Sequence, residues 1–113
     1  VEPCVFIHFA VDNIKEKSLT EVITSDFFKA FRKKQLQIKN HLSPCCIIDN
    51  PDILREAVFG CGAYATHEGA ETIVTTLAKS LDEYGSAYKK ISDEVWNKEY
   101  MIDDLNIKHR AKT

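Results

Sequence analysis

The chain has 113 residues, of which 44% are hydrophobic and 28% are charged, and its formal net charge is −2. These values are typical of one small globular domain, which we expect to span residues 1–113, and they exclude a disordered chain. The balanced charge argues against a nucleic-acid partner. No apolar run approaches the roughly 18 residues that a membrane helix needs, which argues against a membrane partner.

The sequence opens on Val1, and its single methionine is Met101. Because translation normally begins with Met, we expect the chain to be a piece of a longer protein. No secretory signal is visible, which predicts a reducing, cytoplasmic compartment.

The first third of the chain predicts one strand followed by two short helices. Residues 5–11 are rich in β-branched and aromatic side chains, which is typical of a strand. Ser18 and Glu21 form a capping-box pattern that predicts a short helix. Ser25 predicts a second helix directly after it, and a basic run ends that helix.

The middle of the chain predicts a loop and a third helix. Residues 35–50 show no clear period and are interpreted as a loop. Asn50 as cap and Pro51 at the first helical position predict the helix start. Gly60 and Gly62 predict its end.

The strongest periodicity lies in the last third of the chain. Apolar residues repeat there at spacings of four and three, which predicts one long amphipathic helix over about residues 67–100. Gly85 lies in the middle of this seam and predicts a kink or break, because glycine weakens a helix interior. The residues of the seam are Ala70, Val74, Leu77, Leu81, Tyr84, Tyr88, Ile91 and Val95.

The seam over residues 70–95 has two interpretations. It can pack on the short helices, or it can bind a partner, either a second copy in a homo-oligomer or the rest of the longer protein. Residues from 103 onward are expected to fray. Together the elements predict a mainly α fold with a short β element (α+β), built from several short helices and one long C-terminal helix.

Four cysteines, Cys4, Cys45, Cys46 and Cys61, are the residues best suited to chemistry. In a reducing compartment they can be buried thiols, redox groups or metal ligands, and their spacing leaves these alternatives open. No pair has the tight spacing that zinc prefers. Cysteines beside proline or glycine suit an iron–sulfur cluster, because backbone amides can approach their sulfurs.

Catalytic patterns are missing from the sequence. It contains no phosphate-binding loop, no glycine-rich dinucleotide turn and no His-Glu-x-x-His motif. His8, His41 and His67 are interpreted as hydrogen-bonded or solvated imidazoles. We therefore assign no catalytic residue and none that binds an organic cofactor.

The first 60 residues resemble a known family. The stretch VEPCVFIHFAVDNIKEKSLTEVITSDFFKAFRKKQ is similar to the C-terminal auxiliary region, of the SPASM or twitch type, of radical S-adenosylmethionine enzymes. Residues 1–4 match the end of a family phrase like GxVxPC, and residues 13–32 match one like NIxExSLxEIxxSxxFxxxR. The stretch LSPCCIIDNPDILREAV resembles the segment that comes after the next cysteine in many members of the family.

The resemblance implies that residues 1–62 bind an auxiliary iron–sulfur cluster, of the 4Fe–4S type, and that residues 63–113 form a C-terminal helical region. It implies that Cys4 and Cys45 are cluster ligands. Cys61 is preferred over Cys46 as a further ligand, because two adjacent residues rarely serve one cluster well. It also implies that the first strand of a hairpin is missing, so that residues 5–11 either seek another strand edge or lose strand form.

The same resemblance implies that the catalytic domain of the radical S-adenosylmethionine enzyme lies elsewhere in the parent chain and is the natural partner. That domain carries the CxxxCxxC loop to which S-adenosylmethionine binds, and no such loop is present here. The sequence thus supports an auxiliary cluster-binding domain of an oxidoreductase, inactive by itself. The alternative is a helical protein-interaction module with buried, inert cysteines.

Overall fold

The computed structural model describes residues 1–101, which form short helices around a two-stranded antiparallel ladder. The mainly α fold with a short β element is confirmed. The predicted fraying from residue 103 lies outside the described residues. The elements are β1 (Phe9–Ala10), α1 (Leu19–Ile23), α2 (Asp26–Gln35), α3 (Pro51–Cys61), β2 (Tyr64–Ala65), α4 (Glu71–Val74), α5 (Ala78–Val95) and a π-helical turn (Trp96–Tyr100).

The two predicted serine caps are confirmed. Ser18 Oγ accepts a hydrogen bond from the backbone amide of Glu21, at 3.2 Å, and donates one to the Glu21 carboxylate, at 3.0 Å. Ser25 Oγ accepts a hydrogen bond from the amide of Phe28 at 3.4 Å. Each cap satisfies an amide that the first helical turn would otherwise leave without a partner.

The start of α3 is correctly predicted at Pro51, but Asn50 does not cap it through its side chain. The Asn50 amide group instead donates backwards to the carbonyl oxygens of Ser43 and Cys45, at 2.9 and 3.2 Å. Asn50 therefore closes the loop that precedes the helix. The helix ends as predicted at Gly62, whose φ of 64° is left-handed and favours glycine.

The core lies between α2, α3 and α4, with the N-terminal segment packed across it. Phe27 and Phe31 of α2 pack edge to face, with ring centroids 5.1 Å apart, and Leu54 of α3 is almost fully buried. The helices thus bury the stripes that their sequence periods predict. The buried cluster comprises Ile7, Phe9, Phe27, Phe31, Cys46, Ile53, Leu54, Ala57, Val58, Ala70 and Val74.

The predicted strand over residues 5–11 is mostly wrong. The chain turns over residues 4–7, where the amide of Ile7 donates to the carbonyl of Cys4 at 3.1 Å, and His8 has a φ of 59°. Only Phe9–Ala10 is extended, and it pairs with Tyr64–Ala65. A positive φ at His8 interrupts an extended backbone, which explains why β-branched and aromatic composition overestimates the strand.

The predicted single helix over residues 67–100 is also wrong in detail, because it is interrupted between α4 and α5. The break falls at Thr75, where φ is −123° and ψ is −88°. The hydroxyls of Thr72 and Thr75 donate to the carbonyls of Gly69 and Glu71, both at 2.7 Å. Threonine hydroxyls compete for backbone carbonyls and β-branched residues disfavour helix, so the chain breaks there.

The break predicted as one alternative at Gly85 is not observed, since Gly85 lies inside the continuous helix α5, and the kink stays a prediction. A Cβ on Gly85 would lie 3.0 Å from the carbonyl oxygen of Asp49 and 3.3 Å from Cδ of Pro51. The glycine therefore allows close contact between α5 and the start of α3.

The predicted apolar seam is divided between core and surface. Its first two residues, Ala70 and Val74, are buried. Leu77, Tyr84 and Ile91 are exposed, while α5 buries Gly85 and Ser92 in their place. Within residues 1–101, no helix is both long and apolar enough to cross a bilayer.

Candidate cysteine site

Two of the cysteines line one small cavity at the N-terminal end of the core. Cys4 enters it from the first turn of the chain and Cys46 from the loop before α3, and α2 forms the opposite wall. The cavity has a volume of about 140 Å³. Its lining residues are Pro3, Cys4, Ile7, Phe28, Phe31, Arg32, Gln35 and Cys46.

Cys46 forms the buried part of this site. Burial raises the pKa of its thiol to about 11, and negative charge on Cys45 and on Cys4 adds to that rise. Cys46 therefore lies within electrostatic reach of Cys45, its neighbour in the sequence, and of Cys4 across the cavity. Because its pKa lies so far above neutrality, Cys46 remains a protonated thiol in the absence of a metal ion.

Cys45 is held in a loop whose backbone is fixed on both sides. Its amide donates to the carboxylate of Asp49 at 3.0 Å, and its carbonyl accepts the backbone amide of Asn50 at 2.9 Å. The amide of Ile47 points at Sγ of Cys45, with a nitrogen–sulfur distance of 3.4 Å. Backbone amides directed at cysteine sulfurs are also found around iron–sulfur clusters.

Cys4 is exposed and lies at the start of the turn formed by residues 4–7. The next two side chains, Val5 and Phe6, are also exposed, although both are large and apolar. The amino terminus donates to the carbonyl of Asp12 at 3.3 Å, which holds this segment against the body of the protein. Cys4 is thus accessible, whereas Cys46 beside it is not.

Cys61 lies apart from the other three, at the carboxyl end of α3. It lines two cavities that it shares with Gly60, one of them also lined by Asp26, and neither contains another cysteine. Burial, and to a smaller extent the negative charge of Asp26, raises the pKa of the Cys61 thiol. Neither effect favours the thiolate form.

The described residues supply an incomplete set of metal ligands. All four cysteines are free thiols. Across residues 1–101, no three side chains of His, Cys, Asp or Glu are grouped so that they could hold a metal ion. Cysteine sulfur is a donor that iron binds, but Cys4 and Cys45 by themselves would leave an iron site without its full set of ligands.

Two residues of α2, Arg32 and Gln35, line the cysteine cavity and were not predicted as site residues. Arg32 Nη2 donates to the carbonyl of Ile23 at 2.9 Å, so the guanidinium is held at the junction of α1 and α2. The sequence gives one signal for Arg32, because an arginine ends the second family phrase. That signal indicates a match to the phrase and a basic helix end, but not a position in the site.

The three histidines among residues 1–101 lie outside the cysteine cavity. His8 and His67 stack with ring centroids 4.9 Å apart, and His41 lies against Trp96 at 5.1 Å. His41 and Trp96 line a wider cleft of about 850 Å³ between the loop after α2 and the end of α5. Asn40, which is buried, donates to the Asp93 carboxylate there at 2.7 Å.

Comparisons with protein-family models, with curated proteins and with solved structures find no match for this chain. The residues of the site are therefore the basis on which a function is proposed below.

Proposed function

We propose that this chain is an auxiliary iron–sulfur cluster-binding domain, with Cys4 and Cys45 as cluster ligands. The observation that carries the proposal is the amide of Ile47 directed at Sγ of Cys45. Amide donors to cysteine sulfur stabilise the thiolate and tune the reduction potential of iron–sulfur clusters.

The arrangement of the other cysteines supports the same assignment. Cys4 is accessible and lies within electrostatic reach of Cys46, the residue next to Cys45. Cys46 is turned into the core with a strongly raised pKa, so it forms a wall of the site and is the poorer ligand. Cys61 as a further ligand stays a prediction, because it lines cavities that contain no other cysteine.

The resemblance of residues 1–60 extends the proposal to a radical S-adenosylmethionine oxidoreductase, with a 4Fe–4S cluster completed by the parent chain. When bound, such a cluster passes electrons or binds substrate, and S-adenosylmethionine binds only to the catalytic domain. The chain by itself is then inactive. The natural partner is that catalytic domain, and the natural compartment is the cytoplasm, where free thiols persist.

Anaerobic reconstitution of the chain with ferrous iron, sulfide and excess dithiothreitol tests the proposal. We expect iron and sulfide to bind with the broad visible absorbance of an iron–sulfur cluster, the small thiol completing the ligand set. Cys4→Ser and Cys45→Ser should each lose most of the bound iron, because each removes one of two protein ligands. The Cys61→Ser variant decides whether Cys61 is a third ligand.

Cys46→Ser is the matched control, since it alters the residue next to Cys45 without removing a proposed ligand. It should retain most of the iron of the wild-type chain. Equal iron in the wild type, Cys4→Ser and Cys45→Ser would overturn the ligand assignment, as would complete loss in Cys46→Ser alone. Circular dichroism of each variant without iron verifies that the fold is retained.

A second candidate function, a helical protein-interaction module, is favoured by one observation. Leu77, Tyr84 and Ile91 are exposed along α5, where a helix that served only the core would carry polar side chains. If reconstitution yields no cluster in any variant, the cysteines are inert and this surface is the remaining candidate for function.

A further inference from the structure

Helix α5 carries an apolar stripe that faces away from the core. Leu77, just before its first residue, and Tyr84 and Ile91 within it recur every seven residues, and their exposed fractions are 45%, 55% and 65%. The core instead receives Gly85 and Ser92, which are small. A seven-residue apolar repeat on an open helix face is the pattern of a coiled-coil seam.

The positions between the large residues of the stripe are small. Ser80 and Ala87 are exposed and fall three residues after Leu77 and Tyr84, at the other position of the heptad seam. A partner helix that offered a large side chain opposite each small one would fill the seam. The stripe has the same alternation of large and small residues that such a partner helix would need.

The two edges of the stripe differ in character. On one edge lie Glu83 and Lys90, which are exposed and take part in no ion pair with another of residues 1–101. On the other edge lie Leu81 and Tyr88, which are half-buried against the body of the chain. The charged edge carries one residue of each sign, so it is complementary to itself.

We propose that this face of α5 binds a second copy of the chain, with the two helices antiparallel and a two-fold axis between Gly85 and Ser86. Residues at equal distances on either side of that axis then meet. Tyr84 of each copy lies on Ala87 of the other, and Ile91 of each lies on Ser80 of the other, so the four central layers join a large side chain to a small one, while Leu77 lies opposite Glu94 at each end of the seam. Such isologous pairing is the commonest symmetry of soluble homo-oligomers.

The charges fix the direction of the helices. In the antiparallel pair, Glu83 of each copy lies beside Lys90 of the other, which gives two ion pairs related by the axis. In a parallel pair each seam residue would face the same residue of the other copy, so Tyr84 would face Tyr84. Glu83 would then lie near Tyr88 of the other copy instead of a lysine. The antiparallel arrangement satisfies both the volumes and the charges, and it does not depend on the cysteine site.

Charge reversal with sedimentation equilibrium tests this dimer. The wild-type chain should dimerise reversibly, and Glu83→Lys or Lys90→Glu should each weaken the dimer about tenfold, because each turns two ion pairs into two repulsions. The double variant carrying Glu83→Lys and Lys90→Glu restores both ion pairs with reversed sign. We expect its dissociation constant to lie within about threefold of the wild-type value.

Two further variants control the experiment. Lys29→Glu reverses an exposed charge on α2, which contributes no residue to the stripe, and should leave the dimer unchanged. Ile91→Glu places a carboxylate in the seam and should give a monomer with an unchanged circular dichroism spectrum, since Ile91 is exposed. A wild-type chain that stays monomeric at hundreds of micromolar, or a double variant no tighter than the single ones, would overturn the proposal.

Discussion

Gly85 of α5 and Asp49, two residues before α3, approach so closely that a Cβ on the glycine would lie 3.0 Å from the aspartate carbonyl oxygen. The same Cβ would lie 3.2 Å from the carbonyl of Ile48. Both neighbours are backbone atoms and cannot rotate away as a side chain could. The long helix is therefore docked on the loop that carries Cys45 and Cys46, and this docking requires glycine.

The first prediction concerns that contact. Gly85→Ala should gain about 1 kcal/mol from helix propensity and lose about 1–3 kcal/mol from overpacking against backbone, so we expect net destabilisation. Gly60→Ala in α3 is the matched control, because nothing lies within 4 Å of a Cβ there. It should be neutral or stabilising by up to about 1 kcal/mol. Urea unfolding of both variants is the measurement, and stabilisation by Gly85→Ala would contradict the contact.

The second prediction compares a core leucine with a surface leucine. Leu54 is 1% exposed and Leu77 is 45% exposed. Leu54→Ala should cost about 2–5 kcal/mol, or unfold the chain altogether, because it leaves a cavity among well-packed neighbours. Leu77→Ala should cost less than about 1 kcal/mol. Similar losses in thermal or urea melts would mean that Leu77 is buried in solution.

These elements show how far local patterns predict the fold. The serine caps and the start of α3 at Pro51 depend on hydrogen bonds and backbone preferences within a few residues, and they were predicted correctly. The extent of β1 was not predicted correctly, because it depends on the positive φ of His8 and on the distant partner strand. The role of Gly85 was missed for the same reason, since its neighbours are more than thirty positions away in the sequence.

The third prediction concerns thiol reactivity. With a pKa of about 11, Cys46 is a thiolate in only about one molecule in a thousand at pH 8, and it is also buried. Iodoacetamide should therefore modify the exposed Cys4 more than about tenfold faster than Cys46. Peptide mass spectrometry of timed samples measures both rates. The difference should vanish in guanidinium chloride, and faster modification of Cys46 in the folded chain would contradict its burial.

The fourth prediction concerns acid stability. The hydrogen bond from Asn40, followed by the one from Lys89, lowers the pKa of the Asp93 carboxyl below its ordinary value of 3.8. A lowered folded-state pKa adds stability that is fully present above the unfolded pKa and is lost as the pH falls through the folded pKa. Because the carboxylate is partly exposed, we expect a contribution below about 1 kcal/mol.

Asp93→Asn isolates this effect, since asparagine can still accept from Asn40 but does not titrate. The urea midpoint of the wild type should fall more between pH 5 and pH 3 than that of Asp93→Asn. Glu94→Gln is a useful comparison, because the pKa of that carboxyl is also lowered, through Lys98, but it is fully exposed. Identical acid dependence in the wild type and Asp93→Asn would contradict the assigned cause.

The candidate site was only partly predictable for a related reason. Proline before Cys4 and Cys45 pointed to both residues, but the cavity of the structure brings Cys4 together with Cys46 rather than with Cys45. The sequence favoured Cys61 over Cys46 from spacing alone, whereas spatial proximity depends on how α3 carries Cys61 away from the loop. The hydrogen bond from Asn40 to Asp93 had no sequence signal, because it joins a loop to a distant helix.

The two-residue ladder of β1 and β2 has a consequence for the order of folding. It joins Phe9 to Ala65 and so closes a loop made of residues 11–63, which contains α1, α2 and α3. Closing a loop of this length costs conformational entropy, and two paired residues contribute too little free energy to offset that cost. The ladder can therefore form only after the enclosed helices have made the loop compact. We therefore expect the helices to fold first and the N-terminal segment to join them afterwards. In native-state hydrogen exchange that segment should open with a smaller free energy than α3, so the turn that carries Cys4 is the last part to assemble and the first to detach.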